Sequence, residues 1–294
     1  MKKFLAAIGY ILLSLVLFLG GAAITAMPAG YDGTKLQELW EDADEPPGQD
    51  RLAPAEDETE EPPVQDSYAL YYYSLLDERQ KEYYTQLDEA AAAGEKSVVL
   101  QGITQEEADP IFVSVQNDHP EYFWLDSSYT YRTDGGHVEF IFHYNCDDDV
   151  KNDRKAVIEQ EANEILAQAP VNGSDYEKVK YVFDTLVDRI QYELNAPDSQ
   201  NIYSVFGSWT SVCAGYAKSV KYLLDRLDVE CIYVTGTAEE EAHAWNIVNC
   251  EGQYYCVDAT WGDPAYLEGM GVDTSVTAYE YLCCPDDILS RTHT

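Results

Sequence analysis

The sequence predicts an α+β protein. A helix that opens on a cysteine packs against an antiparallel sheet carrying a histidine and an aspartate, and a smaller α+β unit precedes it. Three observations carry that expectation. After Cys213, apolar residues recur at Tyr216, Ala217, Val220, Leu223, Leu224 and Leu227, the spacing of one buried helix face. Two β-rich stretches from His243 to Asp258 are parted by Glu251-Gly252, the pattern of a hairpin. Upstream, "YFWLDSSYTYRTDGGHVEFIFHY" alternates on either side of Asp134-Gly135-Gly136, which reads as another hairpin.

The 294 residues carry a formal charge of -36, which repels nucleic acid phosphates and anionic lipid headgroups and excludes both as expected partners. Lys2 and Lys3 precede a near-continuous apolar run from Phe4 to Ile24, long enough for a membrane-spanning helix, which needs roughly 20 residues. The flanking lysines and the acidic chain beyond them direct the remainder out of the cytoplasm. Residues 1–28 are therefore expected to be an uncleaved signal-anchor or, with Ala26 as a weak cleavage site, a signal peptide. Either way the protein is exported, as a single-pass membrane protein or as a secreted one. No cysteine lies near the end of the run, so a lipid anchor is not expected.

Residues 29–66 are acidic, proline-rich and free of apolar periodicity, the composition of a disordered linker. Residues 67–150 form the small α+β unit. Within it Asp77 caps a helix that stops at Gly94, "EKSVVL" is a strand, and "TQEEADPIFVSVQNDH" holds a helix whose first turn is set by proline. The triplet Asp147, Asp148 and Asp149 lacks the glycine and terminal glutamate of an EF-hand loop and is read as a helix cap. Residues 151–294 form the larger unit, with helices expected near Asn152 to Gln168 and Asp175 to Tyr192. A strand then follows from Val229 to Thr235.

The seven cysteines include no CxxC pair, which excludes a zinc site of the usual spacing. An odd number leaves at least one thiol free. Cys213 stands where its helix begins, next to unsatisfied backbone amides and the positive end of the helix dipole, a setting that favours a thiolate. A buried thiol of no chemical consequence is the competing account. Gly215 lets another backbone or a substrate approach closely. A thiolate nucleophile needs a base, and the base needs an orienting partner. If the turn at Glu251-Gly252 makes Cys250 oppose Gln253, the constant pairing sum sets His243 opposite Thr260 and Asp258 opposite Trp245. His243 and Asp258 then become diagonal neighbours on one face. A strand histidine satisfied by a carbonyl and an aspartate capping the next turn are the structural alternatives. His119, His137, His143 and His293 show no such partners and read as structural or exposed.

The runs "SVCAGYAKSVKYLLDRLDVECIYVTG" and "HAWNIVNCEGQYYCVDATWGDP" resemble the transglutaminase-like superfamily of papain-type folds. The looser stretches "YYYSLLDERQKEYY" and "DHPEYFWL" look like the N-terminal half of exported bacterial members. The resemblance implies Cys213 as nucleophile, His243 as general base and acid, and Asp258 as the residue that fixes the imidazole tautomer. It implies the Cys213 amide, with Gln200 as a second donor, at the oxyanion, and Trp245 and Trp261 as walls of the cleft. No metal or organic cofactor is implied. The expected reaction is attack on a peptide or protein carboxamide, at the cell surface or cell wall, through a thioester. Hydrolysis is the first expectation, protein crosslinking the second, and a non-catalytic surface-binding module the alternative of another class.

Overall fold

The computed structural model describes residues 70–134, 136–269, 271 and 276–294. The expected anchor and the acidic linker lie outside the described residues. Among the described residues no helix is long and apolar enough to cross a membrane.

The chain is a mixed helix and sheet structure in which the two three-stranded sheets are antiparallel. Helix α1 (Tyr71–Ser74) and α2 (Glu78–Ala93) lead into β1 (Ser97–Gln101), α3 (Gln105–Asp118), β2 (Leu125–Asp134) and β3 (His137–Tyr144). Asp77 caps α2 through a reciprocal box with Gln80, and Gly94 ends it at φ +70°, a left-handed conformation that glycine adopts without strain. The expected proline-set helix start is displaced. α3 opens at Gln105 behind a Thr104–Glu107 capping box, which leaves Pro110 inside the helix. β3 lies between β1 and β2, and the expected β2–β3 hairpin closes with Asp134 opposite His137.

Helix α4 (Asp148–Leu166) starts earlier than its apolar pattern suggests, because Asp147 accepts from Val150 N as its cap. Then come α5 (Asp175–Arg189), β4 (Gln191–Tyr192), α6 (Ile202–Ser208) and β5 (Thr210–Ser211), with β4 and β5 paired in parallel. Helix α7 (Cys213–Asp225) is buried around most of its circumference, as expected of a helix at the centre of a fold. Beside it β6 (Cys231–Ala238), β7 (Glu241–Cys250) and β8 (Gln253–Val257) form the second antiparallel sheet, with β7 in the middle. One apolar cluster runs from Tyr84 and Phe112 through Phe183 to Leu223 and Val248, so α7 sits in a core continuous with that of the first sheet.

Alternation along β7 sends Ala244, Asn246 and Val248 towards α7. Ala244 packs by Cys213 and Ala217, and Asn246 Nδ2 donates to the Ala217 carbonyl at 2.9 Å. The turn after β7 is a two-residue one, with Glu251 and Gly252 both at positive φ, and Cys250 pairs with Gln253. The ladder stops at Asn246↔Val257. The further pairs expected for Trp245 with Asp258 and His243 with Thr260 do not form, because the chain turns there into α8 (Ala259–Gly262). After α9 (Pro264–Gly269) and α10 (Asp286–Leu289), residues 292–294 return along β6.

Candidate active site

Cys213 is the first residue of α7, preceded by Val212, whose side chain makes no capping bond. The first amides of a helix have no partner within it, so the Cys213 N–H is available at the thiol itself. The side chain is 9 % exposed and packs with Ala217, Tyr233 and Ala244.

His243 stands on β7 three residues before Asn246, the last residue paired with β8, and the nearby Cys213 side chain favours its charged form. Its Nε2 lies 2.7 Å from Asp258 Oδ2. Nδ1 is thereby the ring nitrogen left for the sulfur. Burial opposes a charged imidazole here, but the Asp258 charge and its hydrogen bond outweigh burial, and the Cys213 side chain adds to them. The His243 pKa is pushed up to about 10.

Asp258 is 1 % exposed and uses both oxygens. Oδ1 caps α8 by accepting from Thr260 N at 2.9 Å and Trp261 N at 3.0 Å. Oδ2 faces His243 and also His293, whose Nε2 lies 2.9 Å away. Burial alone would raise this carboxyl. The His243 charge and the converging N–H donors overcome it and hold the group well below the usual carboxylate range. An ionised carboxylate only accepts, so each imidazole nitrogen that touches it carries a proton. The two readings of Asp258, a helix cap and an orienting acid, are therefore both realised, one on each oxygen.

His293 corrects the expectation that it has no such partner. It is 3 % exposed, and its contact with Asp258 arises because the returning segment pairs with β6. No helical or alternating period announces that return, so the sequence gives no signal for it. Rings enclose the group. Trp245 stacks at 6.1 Å from His243 and meets His293 edge-on at 5.2 Å, and Trp261 lies 5.1 Å from His293. Both tryptophans are buried, Trp245 among Ile232, Val234 and Ile247, and Trp261 with Ala238 and Leu267. Gln200 belongs to the loop just before α6. It is exposed, its carbonyl accepts from Lys218 Nζ at 3.1 Å, and it lines a cavity of about 280 Å³ whose walls do not include Cys213.

Three tyrosines escaped the sequence reading. The hydroxyls of Tyr192, Tyr233 and Tyr266 are held above the ordinary phenol value, by burial first and by charge on Cys213 in addition. Tyr233 had a signal, since it falls two residues from Thr235, the partner of Ala244, and so shares the α7 face. Tyr192 and Tyr266 come from separate segments and meet at a tilt with ring centroids 4.5 Å apart.

His243, Asp258 and His293 are also the described residues whose donor atoms converge as metal ligands do. Their separations of 2.7 and 2.9 Å are those of N–H···O bonds, whereas two ligands on one tetrahedral zinc lie roughly 3.3 Å apart. The arrangement is a hydrogen-bonded set of imidazole, carboxylate and imidazole.

Residues 164–259 match the family model of the Transglutaminase-like superfamily. Over these residues the chain is similar to a transglutaminase-like core. The matched stretch holds Cys213, His243 and Asp258 and ends before Trp261 and His293. Among curated proteins, the mouse (Mus musculus) Kyphoscoliosis peptidase is 26% identical over 126 residues, 37% of this chain and 18% of that protein. The Homo sapiens Kyphoscoliosis peptidase is 24% identical over 145 residues, 44% of this chain and 21% of that protein. The match thus spans about a fifth of the length of these relatives. A solved structure described as a TGase is similar at 13% identity and a TM-score of 0.34, covering 49% of this chain and 47% of that one.

Proposed function

We propose that the transglutaminase-like core is a cysteine-dependent amide hydrolase of peptide or protein carboxamides, working outside the cytoplasm on a membrane anchor or as a secreted protein. The observation that carries the chemistry is the 2.7 Å bond from His243 Nε2 to Asp258, which leaves the other ring nitrogen for the nearby Cys213 thiol. That bond fixes the tautomer and stabilises the imidazolium.

In the first step the Cys213 sulfur attacks the carboxamide carbon after its proton has passed to His243 Nδ1. The tetrahedral oxygen takes the negative charge, and the Cys213 amide is positioned to donate to it. The C–N bond then breaks, the leaving nitrogen takes the proton from His243, and a thioester remains. In the second step water gives a proton to His243 and attacks the thioester, which releases the acid and restores the thiol.

Hydrolysis is preferred to transfer because the curated relatives are named as peptidases. Crosslinking differs only in the acceptor, a primary amine in place of water. The test compares wild type with Cys213→Ala on a peptide amide panel, with and without cadaverine. Wild type alone should release amine or ammonia, with acid as the product. Incorporation of cadaverine would identify a crosslinking enzyme, and equal inactivity of both proteins would favour a binding module. Iodoacetamide at neutral pH should modify Cys213 ahead of the other six cysteines. Uniformly slow modification counts against an activated thiol.

A further inference from the structure

A second imidazole on Asp258 is more than a triad of this kind requires, and the chain goes to some length to deliver it. Residues 292–294 lie antiparallel beside β6. Thr237 N donates to Thr294 O at 2.8 Å, Thr294 N to Thr237 O at 2.9 Å, and Glu239 N to Thr292 O at 3.0 Å. The approach is close enough to need glycine in β6, because a Cβ on Gly236 would sit 2.4 Å from Thr294 O. This places His293 between Trp245 and Trp261 with its Nε2 on Oδ2 and its Nδ1 2.8 Å from Thr292 Oγ1. Both ring nitrogens are engaged, so the ring is fixed in rotation and tilt.

We infer that His293 is a positioning residue for the Asp258–His243 pair. The inference rests on the reading of Cys213 as the nucleophile. Two amides hold Oδ1, but without His293 only His243 holds Oδ2. When His243 swings between protonation states during turnover, that bond loosens and the carboxylate is free to rotate towards other donors. The Nε2–H of His293 keeps Oδ2 where His243 Nε2 must return. His293 contacts Asp258 and aromatic rings rather than the thiol, so its loss should lower kcat and leave KM nearly unchanged.

The test measures the rate of Cys213 alkylation by iodoacetamide, which needs no known substrate, in wild type and four variants. His293→Leu fills the space and removes the donor, and alkylation should slow about tenfold, the size of one charge-assisted hydrogen bond. His293→Gln, which keeps an N–H, should recover most of the rate. In Asp258→Asn the same leucine substitution should change the rate less than about twofold, because residues acting through one another are not additive. Asp258→Asn/His293→Leu supplies that comparison. If Cys213 reacts selectively in wild type but His293→Leu leaves its rate unchanged, or slows it equally in both backgrounds, the positioning role is wrong while the nucleophile assignment survives. If wild-type Cys213 is no faster than its neighbours, the nucleophile assignment itself fails. Should the leucine variants fail to fold, ¹⁵N-histidine spectra of the unsubstituted protein decide. A protonated Nε2 on both His243 and His293 supports the inference, and a bare Nε2 on His293 overturns it.

Discussion

Asp258 Oδ2 lies 2.7 Å from His243 Nε2 while its other oxygen holds the first amides of α8. One side chain therefore serves the chemistry and the backbone together, and substitutions can separate the two tasks. Asp258→Asn keeps an oxygen for the cap but turns an amide towards His243, which moves the imidazole proton to the nitrogen facing the sulfur. Activity should fall by about 10⁴, the effect of a wrong tautomer, with a modest loss of stability. Asp258→Ala also removes the cap, worth about 1 kcal/mol, and should unfold at a lower temperature than Asp258→Asn. Thermal unfolding read beside amidase rate checks the separation. Equal melting points for the two variants would deny Oδ1 its role.

The same pair sets a pH dependence. His243 has a raised folded pKa, so its contribution is complete below the unfolded imidazole value of about 6.5 and disappears as pH rises through about 10. Asp258 has a lowered one, so its contribution is present above about 3.9 and disappears as pH falls through its lower folded value. In urea unfolding, the stability gap between wild type and Asp258→Asn should be widest between about pH 4 and 6.5 and shrink steadily above that. A gap that grows from pH 7 to 9 would contradict the ion pair.

Gly215 lies under the serine cluster that precedes the thiol. A Cβ there would fall 1.9 Å from Ser211 Oγ, 3.0 Å from Ser204 Oγ and 3.1 Å from Ser199 O. Ser211 cannot turn away freely, since it is fully buried and bonded to both Ser204 and Ser199. Gly215→Ala should cost about 1–3 kcal/mol by overpacking and should slow Cys213 alkylation. Adding Ser211→Ala should restore part of the stability. A fully additive double variant in urea unfolding would show that the clash is elsewhere.

Lys221 is 1 % exposed on α7, with Nζ 2.9 Å from Asp225 Oδ2 and 3.0 Å from Cys231 O. Lys221→Met leaves the partly buried Asp225 without its ion-pair partner, with only the weaker influence of Arg226 remaining. The loss should approach the about 3 kcal/mol typical of a broken buried pair. Lys221→Met/Asp225→Asn should recover much of it in chemical denaturation, and no recovery would show that Lys221 acts by packing alone.

How much of this was legible before the fold depended on how far apart the partners lie in sequence. Glu251-Gly252 forms a two-residue turn, so the register that brings His243 towards Asp258 could be counted from Cys250 and Gln253. The count failed beyond Val257 because helix capping took Asp258 out of the ladder, a local preference overriding strand continuation. Capping also moved the starts of α3 and α4 ahead of their apolar patterns. Asp147 was visible as a cap, but Pro110 and the late apolar period drew the boundaries inward. His293, Tyr192 and Tyr266 reach the site through tertiary packing of segments with no period of their own. A single sequence holds no trace of such meetings.

The order of these parts along the chain has a consequence for synthesis. Cys213 leaves the ribosome first, then His243, then Asp258, and His293 after all of them. Until α8 has formed, nothing aims the carboxylate, and until residues 292–294 close beside β6, one of its oxygens is tethered on a single side. A nascent chain therefore carries its sulfur unarmed past its neighbours. The proposed activity therefore waits on residues 292–294 reaching β6.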